Sequence, residues 1–344
     1  MLHSIDEIAR VLKGKKKIVI FIHNNPDPDA IASAWGMQYL LRKLLKTENR
    51  IVYGGLIGRA ENKVMVKLLK IKLSHLPNIG LSNKNGFILV DTQPGMGNNS
   101  LPPQIDPSLV IDHHPLQKKQ KSILVDIRED VGSTATIITE YLVTNGFKIP
   151  KNLATALFYG IGSETLGLSV KTKKLDKQYY RLLFPKINQF LLSKIQHPKR
   201  DREFFLHLKK ALVNTCLFKN IILINIGRVD NPDLISEFCS FFLRYYKATW
   251  ALSFGEVGER LIFSIRTDNR RAQAGRIAQK IVGSKGSGGG HEMSAGGWLK
   301  LRDKNKLDII TQYLIKNFLL QMGHKGDITL TPLITKEYKE DKNG

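Results

Sequence analysis

Short apolar runs alternate with segments of helical periodicity along the first half of the chain. Residues 17–22, 87–90, 108–111 and 123–127 are such runs, whose length and β-branched content predict strands, and RIVYGGLIG, residues 50–58, reads as a strand and a flexible turn. Between them, Ser4 with Glu7 predicts a capped helix to Leu12, and further helices are expected over 30–45, 62–71 and 132–146. Residues 152–167 read as a packed helix that breaks at Gly160 and Gly162 and delivers Glu164 to a turn. Residues 175–195 are mainly helical, and QHPKRD at 196–201 reads as a boundary or hinge. Another helix is expected from about Arg202. From Asn220 the pattern turns to strands with intervening helices: IILINIG, then the helix PDLISEFCSFFLRYY, then the strand pair TWALSFG and RLIFSIR. The helix AQAGRIAQKIVG, a glycine-rich loop from Gly283 to Gly297 and a last helix over Leu307–Met322 complete the pattern. Such alternation predicts an α/β fold in two parts.

Three of the predicted strands end in polar residues suited to chemistry. The first feeds FIHNNPDPDAIASAWG, residues 21–36, with His23, Asp27 and Asp29 in a turn stiffened by Pro26 and Pro28. Two readings fit this stretch alone: ligands for a divalent metal, or turn and helix-cap residues. A second run ends in Asp91, and a third, LVIDHHP, ends in Asp112, His113 and His114. Capping explains one such cluster; three strand ends bearing carboxylates and imidazoles favour a metal site. The residue types suit a hard divalent cation, and the histidines favour Mn2+ over Mg2+. GSTATIITEYLVTNG, residues 132–146, enters its helix through a small polar turn whose free N–H groups suit a phosphate or an active-site loop; an ordinary helix start fits as well.

Charge adds a partner class. Lys and Arg number 53 against 30 Asp and Glu, a net +23 with a pI near 9.9, which favours polyanions. The chain of 344 residues is long enough for two domains. No apolar run of membrane-spanning length and no signal-peptide pattern is present, and only Cys216 and Cys239 occur. A cytoplasmic protein without disulfides is expected. The glycine-rich segment lacks the Lys-Ser/Thr of a P-loop, and the cysteines lack zinc-cluster spacing.

The order HxNPDxDAxxS, strand-end Asp, then DHH resembles the DHH phosphoesterase superfamily. IRTDNRRAQAGRIAQKI and SGGGHEMSAGG resemble its associated DHHA1 domain. Together these likenesses extend over about residues 10–325, and the combination resembles the NrnA-like branch. The resemblance implies an N-terminal DHH domain over 1–195, with a mainly parallel sheet flanked by helices. It implies a linker at 196–205, a smaller α/β DHHA1 domain with a mixed sheet over 206–330, and a polar tail at 331–344. It also implies two divalent cations, Mn2+ first and Mg2+ second. His23 and Asp27 would hold one, Asp29, His113 and Glu164 the other, with Asp91 bridging. Asp112 would orient the site, His114 would contact phosphate, and Ser33 would support the ligands. Asp91, Asp112, His113 and His114 form the catalytic set, with a metal-bridged hydroxide as the attacking group. In the second domain, Arg266, Gly289, Gly290 and His291 would contact substrate, and Asn269, Arg270 and Arg271 would widen the anion surface. Glu164 departs from the family, which generally has Asp in a Thr-Asp-Thr triplet where this chain has Ser163, Glu164 and Thr165.

The function that follows is hydrolysis of phosphodiester bonds in very short RNA, with 3'-phosphate removal from 3'-phosphoadenosine 5'-phosphate as a further activity. The partners are short oligoribonucleotides or small phosphorylated nucleotides, with no membrane; a homodimer is compatible with the sequence. A cyclic-dinucleotide phosphodiesterase is the enzyme alternative, since its substrate offers the same bases and phosphates. A nucleotide- or RNA-binding protein without turnover is the alternative outside the enzymes, and Glu164 is its specific support. A processive DNA nuclease would need a further oligonucleotide-binding domain, and a polyphosphate-cleaving enzyme would carry a different second half.

Overall fold

The computed structural model describes residues 3–76, 82, 84–116, 122–170, 172–301, 307–326 and 328–334. It divides into two units, Met1–Pro198 and Lys199–Gly344.

The first unit is built on six parallel strands: β1 (Lys17–Phe21), β2 (Glu48–Tyr53), β3 (Leu73–His75), β4 (Gly86–Val90), β5 (Leu109–Asp112) and β6 (Leu124–Ile127). Their order is β3-β2-β1-β4-β5-β6, so the winding direction reverses between β1 and β4. Open α/β sheets place their sites beyond the carboxyl ends of the strands at such a reversal. All five β4 residues are buried, as are four of five in β1, so their sequences are continuously apolar rather than alternating. β3 escapes the apolar pattern because it is three residues long and lies at the sheet edge.

Helices cover the sheet. α1 (Ile5–Leu12) carries the expected capping box from Ser4 and Glu7. α2 (Pro28–Leu44) packs against α4 (Thr134–Thr144) and α5 (Lys151–Glu164), and α3 (Ala60–Leu69) follows β2. α2 buries Ile31, Met37, Leu40 and Leu41 completely; each such side chain contributes roughly 1.5–3 kcal/mol relative to exposure. α5 does not break at its glycines, contrary to the pattern reading. It runs through Gly160 and Gly162 to Glu164 and only then enters a left-handed turn at Leu166, Gly167 and Leu168. A Cβ at Gly160 would lie 3.1 Å from the Ala32 Cβ and 3.2 Å from the Ala135 Cβ, so this glycine brings three helices together. α6 (Lys174–Leu183) and α7 (Gln189–Gln196) replace the single helical stretch over 175–195; Phe184–Lys186 forms a 3-10 turn, and Asn188 caps the restart.

The second unit has a seven-stranded mixed sheet ordered β11-β12-β10-β9-β8-β7-β13. The strands are β7 (Thr215–Phe218), β8 (Ile221–Arg228), β9 (Trp250–Val257), β10 (Arg260–Thr267), β11 (Gly286–Gly290), β12 (Ser294–Lys300) and β13 (Thr331–Pro332). β8 and β9 pair in parallel and all other neighbours are antiparallel. α10 (Ala274–Val282) and α11 (Leu307–Gln321) contribute to one apolar core, α8 (Arg202–Asn214) and α9 (Asp233–Phe242) to the other. The glycine-rich segment is not a loop. Most of it forms the antiparallel hairpin β11–β12, disguised in sequence because glycine has low strand propensity. Packing supplies the reason: a Cβ at Gly288 would sit 2.7 Å from the Ala278 carbonyl oxygen of α10. β13 pairs with β7, so the sheet reaches into the segment read as a tail; residues 335–344 of that segment lie outside the described ones.

Candidate metal centre

Three strand ends and two helix starts build the site. Beyond β1 the chain turns through His23 and Asn24 to Asp27, the N-cap of α2, whose Oδ1 accepts the Ala30 N–H at 3.0 Å. Pro28 fills the first helical position, where no N–H is needed. The loop is held from outside: Asn62 on α3 donates to the Pro26 carbonyl, and Ser100 donates to Asn24 Oδ1. His23 Nδ1 lies 2.9 Å from the Asn24 carbonyl and donates to it, since a carbonyl only accepts. That leaves Nε2 facing Asp27 Oδ2 at 3.5 Å and Asp91 Oδ2 at 3.6 Å.

Asp91 follows β4 in a left-handed conformation, φ 60°, which few non-glycine residues adopt. Its N–H donates to the Ile111 carbonyl, and Thr134 Oγ1 donates to its Oδ1 at 2.7 Å. Asp112 ends β5 fully buried. Its Oδ1 accepts from the His113 N–H and from His114 Nδ1, both at 2.9 Å, and its Oδ2 from Gln93 at 2.7 Å. Asp112 thus holds the His114 ring and the His113 backbone, the contacts expected of a residue that orients its neighbours. His113 Nε2 lies 3.6 Å from Asp91 Oδ1 and 3.9 Å from Asp29 Oδ2. Asp29, also fully buried, accepts the Thr134 and Ala135 N–H groups at 2.8 and 2.7 Å and the Ser33 hydroxyl at 3.2 Å. The GST turn thus uses its helix N-terminus on a protein carboxylate rather than holding it for a phosphate.

Among the described residues, two sets offer ligand atoms within 4.8 Å of one another: His23, Asp27 and Asp91, and Asp91, His113 and His114. Asp91 is common to both. His114 joins the second set, although its sequence role was phosphate contact; Asp29 and Glu164 lie outside these tight sets. Glu164 ends α5 close enough to raise the pKa of both Asp29 and His114. Imidazole and carboxylate atoms at such spacing suit a borderline or hard divalent cation.

The cluster is electrostatically costly as it stands. Burial, then neighbouring carboxylates, hold Asp29 and Asp91 well above the usual carboxylate range. Burial favours neutral His23, but Asp27 and Asp91 outweigh it and raise its pKa to about 10. Burial likewise opposes charge on Asp27, yet His23 and the Ala30 N–H hold it below its ordinary value. Divalent cations would relieve the repulsion, so the donor set fits the metal expected from sequence.

In the second unit, Arg266 pairs in register with Ser294 across β10 and β12, and Gly290 with Ala295 across β11 and β12. Arg266, Gly289, Gly290 and His291 therefore share one end of the sheet. His291 is exposed at the hairpin turn, its N–H donating to the Ser294 carbonyl. One Arg266 nitrogen donates to Ser264 Oγ, Ile265 O and Ala295 O, which ties the guanidinium base to its own strands. Asn269, Arg270 and Arg271 are exposed in the turn after β10. Sequence reading missed Gln93, two residues beyond Asp91, and Thr134, in the turn at 132–134, as individual site supports, because polar residues without a charge carried no distinguishing signal.

Residues 17–161 match the profile of the DHH family, N-terminal domain. The chain is 35% identical over 318 residues to an uncharacterised protein of Methanocaldococcus jannaschii, covering 90% of this chain and 64% of that protein. It is 29% identical over 151 residues to a probable manganese-dependent inorganic pyrophosphatase of Enterococcus faecalis, covering 44% of this chain and 48% of that protein. The chain thus spans less than two thirds of the length of either relative. An exopolyphosphatase-related protein of Bacteroides fragilis shares the fold, with a TM-score of 0.72 at 17% identity over 92% of this chain and 97% of that one. Among the described residues no helix is long and apolar enough to cross a membrane.

Proposed function

We propose that this chain, which belongs to the DHH phosphoesterase superfamily through residues 17–161, is a divalent-metal-dependent phosphoesterase acting on very short RNA. The observation that carries the metal-dependent reading is Asp91: one buried carboxylate serves both ligand sets at the carboxyl ends of β1, β4 and β5. His23 and Asp27 would hold one cation, and His113, with Asp29 and Glu164 nearby, the other. When bound, the cations, Mn2+ first and Mg2+ second, supply Lewis acidity towards water and a phosphoryl oxygen. Around them the protein does the positioning. Asp112 fixes His114, which sits at the rim of the cluster and is suited to donate to a phosphate oxygen. Thr134 orients Asp91, and the first turn of α4 holds Asp29. No side-chain nucleophile is needed.

The finer choice of substrate rests on the second unit and on charge. Arg266 and the exposed His291 offer a phosphate and base grip beside a glycine-lined hairpin. A net charge of +23 favours nucleic acid over an uncharged substrate. Removal of the 3'-phosphate from 3'-phosphoadenosine 5'-phosphate needs the same chemistry. The test is product-resolved hydrolysis with Mn2+ across dinucleotides, longer RNA, single-stranded DNA, cyclic dinucleotides, 3'-phosphoadenosine 5'-phosphate and inorganic pyrophosphate. Release of mononucleotides, fastest from the shortest RNA, is expected. Cleavage of pyrophosphate alone, or tight RNA binding with no cleavage at any metal concentration, would sink the RNA assignment.

A further inference from the structure

Asp176 lies on α6, outside every ligand set, and is fully buried. As the third residue of that helix it accepts the Lys173 N–H at 2.8 Å, an ordinary capping interaction. Two further bonds have no use in capping α6. Its Oδ2 also accepts the Gly132 N–H at 2.8 Å, and its Oδ1 accepts the Thr136 hydroxyl. These partners lie about forty residues upstream and bracket the first turn of α4. Between them stand Thr134 and Ala135, whose N–H groups hold both oxygens of Asp29, while the Thr134 hydroxyl holds Asp91. Ser133 closes the same turn by accepting the Thr136 N–H.

We propose that Asp176 is a positioning residue for the metal centre, acting through the first turn of α4. The proposal rests on reading the Asp/His cluster as a metal site. Segment 132–136 is gripped from two sides, by Asp176 behind and by Asp29 and Asp91 in front. The front pair repel each other and are buried, so their orientation depends on donors that stay in place. Asp176 keeps those donors in place without approaching the ligand atoms. A merely structural carboxylate would lower stability when removed; a positioning one also lowers metal affinity in protein that remains folded.

Asp176→Asn keeps the volume, but its amide nitrogen cannot accept, so either Gly132 or Thr136 loses its acceptor. Mn2+ affinity of the full chain, measured by titration calorimetry at a temperature where circular dichroism shows folded protein, should fall about 10–100-fold, as for outer ligands generally. Thr136→Val, which removes the hydroxyl bonded to Asp176 and to Ser133 but leaves the Gly132 and Lys173 bonds to Asp176, should shift affinity in the same direction by less. Turnover should recover towards wild type at saturating Mn2+. Asp126→Asn is the control. That buried carboxylate binds Arg128 and Tyr141 and should cost stability without changing Mn2+ affinity. Wild-type affinity in folded Asp176→Asn overturns the proposal, and so does an equal loss in Asp126→Asn. If Asp176→Asn does not fold, Thr136→Val decides, and unchanged affinity there overturns it. Wild-type protein that binds no Mn2+ would remove the metal reading itself and this proposal with it.

Discussion

The two regions proposed to act on substrate are built on opposite principles. In the first unit, charged side chains from three strand ends are forced into a buried cluster, where burial and mutual repulsion push Asp29 and Asp91 well above their usual range. In the second, glycines bring β11 against α10, and the projecting His291 is exposed. One region stores electrostatic cost that a cation relieves; the other offers surface for contact at little cost. Changes in the first should therefore act on metal and chemistry together, and changes in the second on substrate binding alone.

The largest effect is expected from Asp91→Ala, because its carboxylate serves both sets. Turnover should fall about a thousandfold, equivalent to several kcal/mol of transition-state stabilisation. Both cations should bind less well. Full two-ion occupancy in anomalous scattering from the variant would exclude a bridging role. Glu164→Gln comes next. Removing a charge that acts on Asp29 and His114 should weaken one cation and cut kcat/KM about a hundredfold. Glu164→Asp should fall between the two, because a shorter arm from the same α5 terminus reaches less far. Equal rates for wild type and Gln at equal occupancy would take Glu164 out of the site.

Proton linkage separates the regions further. With pKa values raised above the ordinary range, Asp29, Asp91 and His23 carry protons at a higher pH than free side chains do. Metal must displace those protons, so apparent Mn2+ affinity should rise with pH, by about tenfold per pH unit for each proton released. Calorimetry in buffers of different ionisation enthalpy counts the protons; a pH-independent affinity with none released would contradict the buried-cluster electrostatics. The smallest effect belongs to Arg266→Ala and His291→Ala. Each should raise KM for a dinucleotide by up to about tenfold, the worth of one charge-assisted hydrogen bond, with Mn2+ affinity unchanged. Lost metal affinity in either variant would erase the contrast between the regions.

Much of this was legible along the chain. Continuous apolar runs ending in His23, Asp91 and Asp112 identified both the buried parallel strands and the residues beyond their ends, because each strand end carries its own signal within a few positions. The order HxNPDxDAxxS to DHH carried the resemblance to the superfamily for the same reason: its spacing is local. Local pattern failed where a neighbour from elsewhere decides the outcome. Gly160 and Gly162 read as helix breakers, yet α5 runs through them, with Gly160 packed closely against Ala32 of α2 and Ala135 of α4. The glycines of 286–290 read as a loop, yet α10 and β12 hold them in a strand.

The sequence by itself determined which side chains could bind a cation and which strand ends carry them, since residue identity and alternation are properties of short stretches. Tertiary structure alone decided that Asp91 is shared by two sets, that Asp29 is held by the first turn of α4 and that Asp176 anchors that turn. Those relations join residues about forty to a hundred positions apart, and only the reversal of strand order between β1 and β4, with α4 and α6 packed beside it, brings them within hydrogen-bond distance.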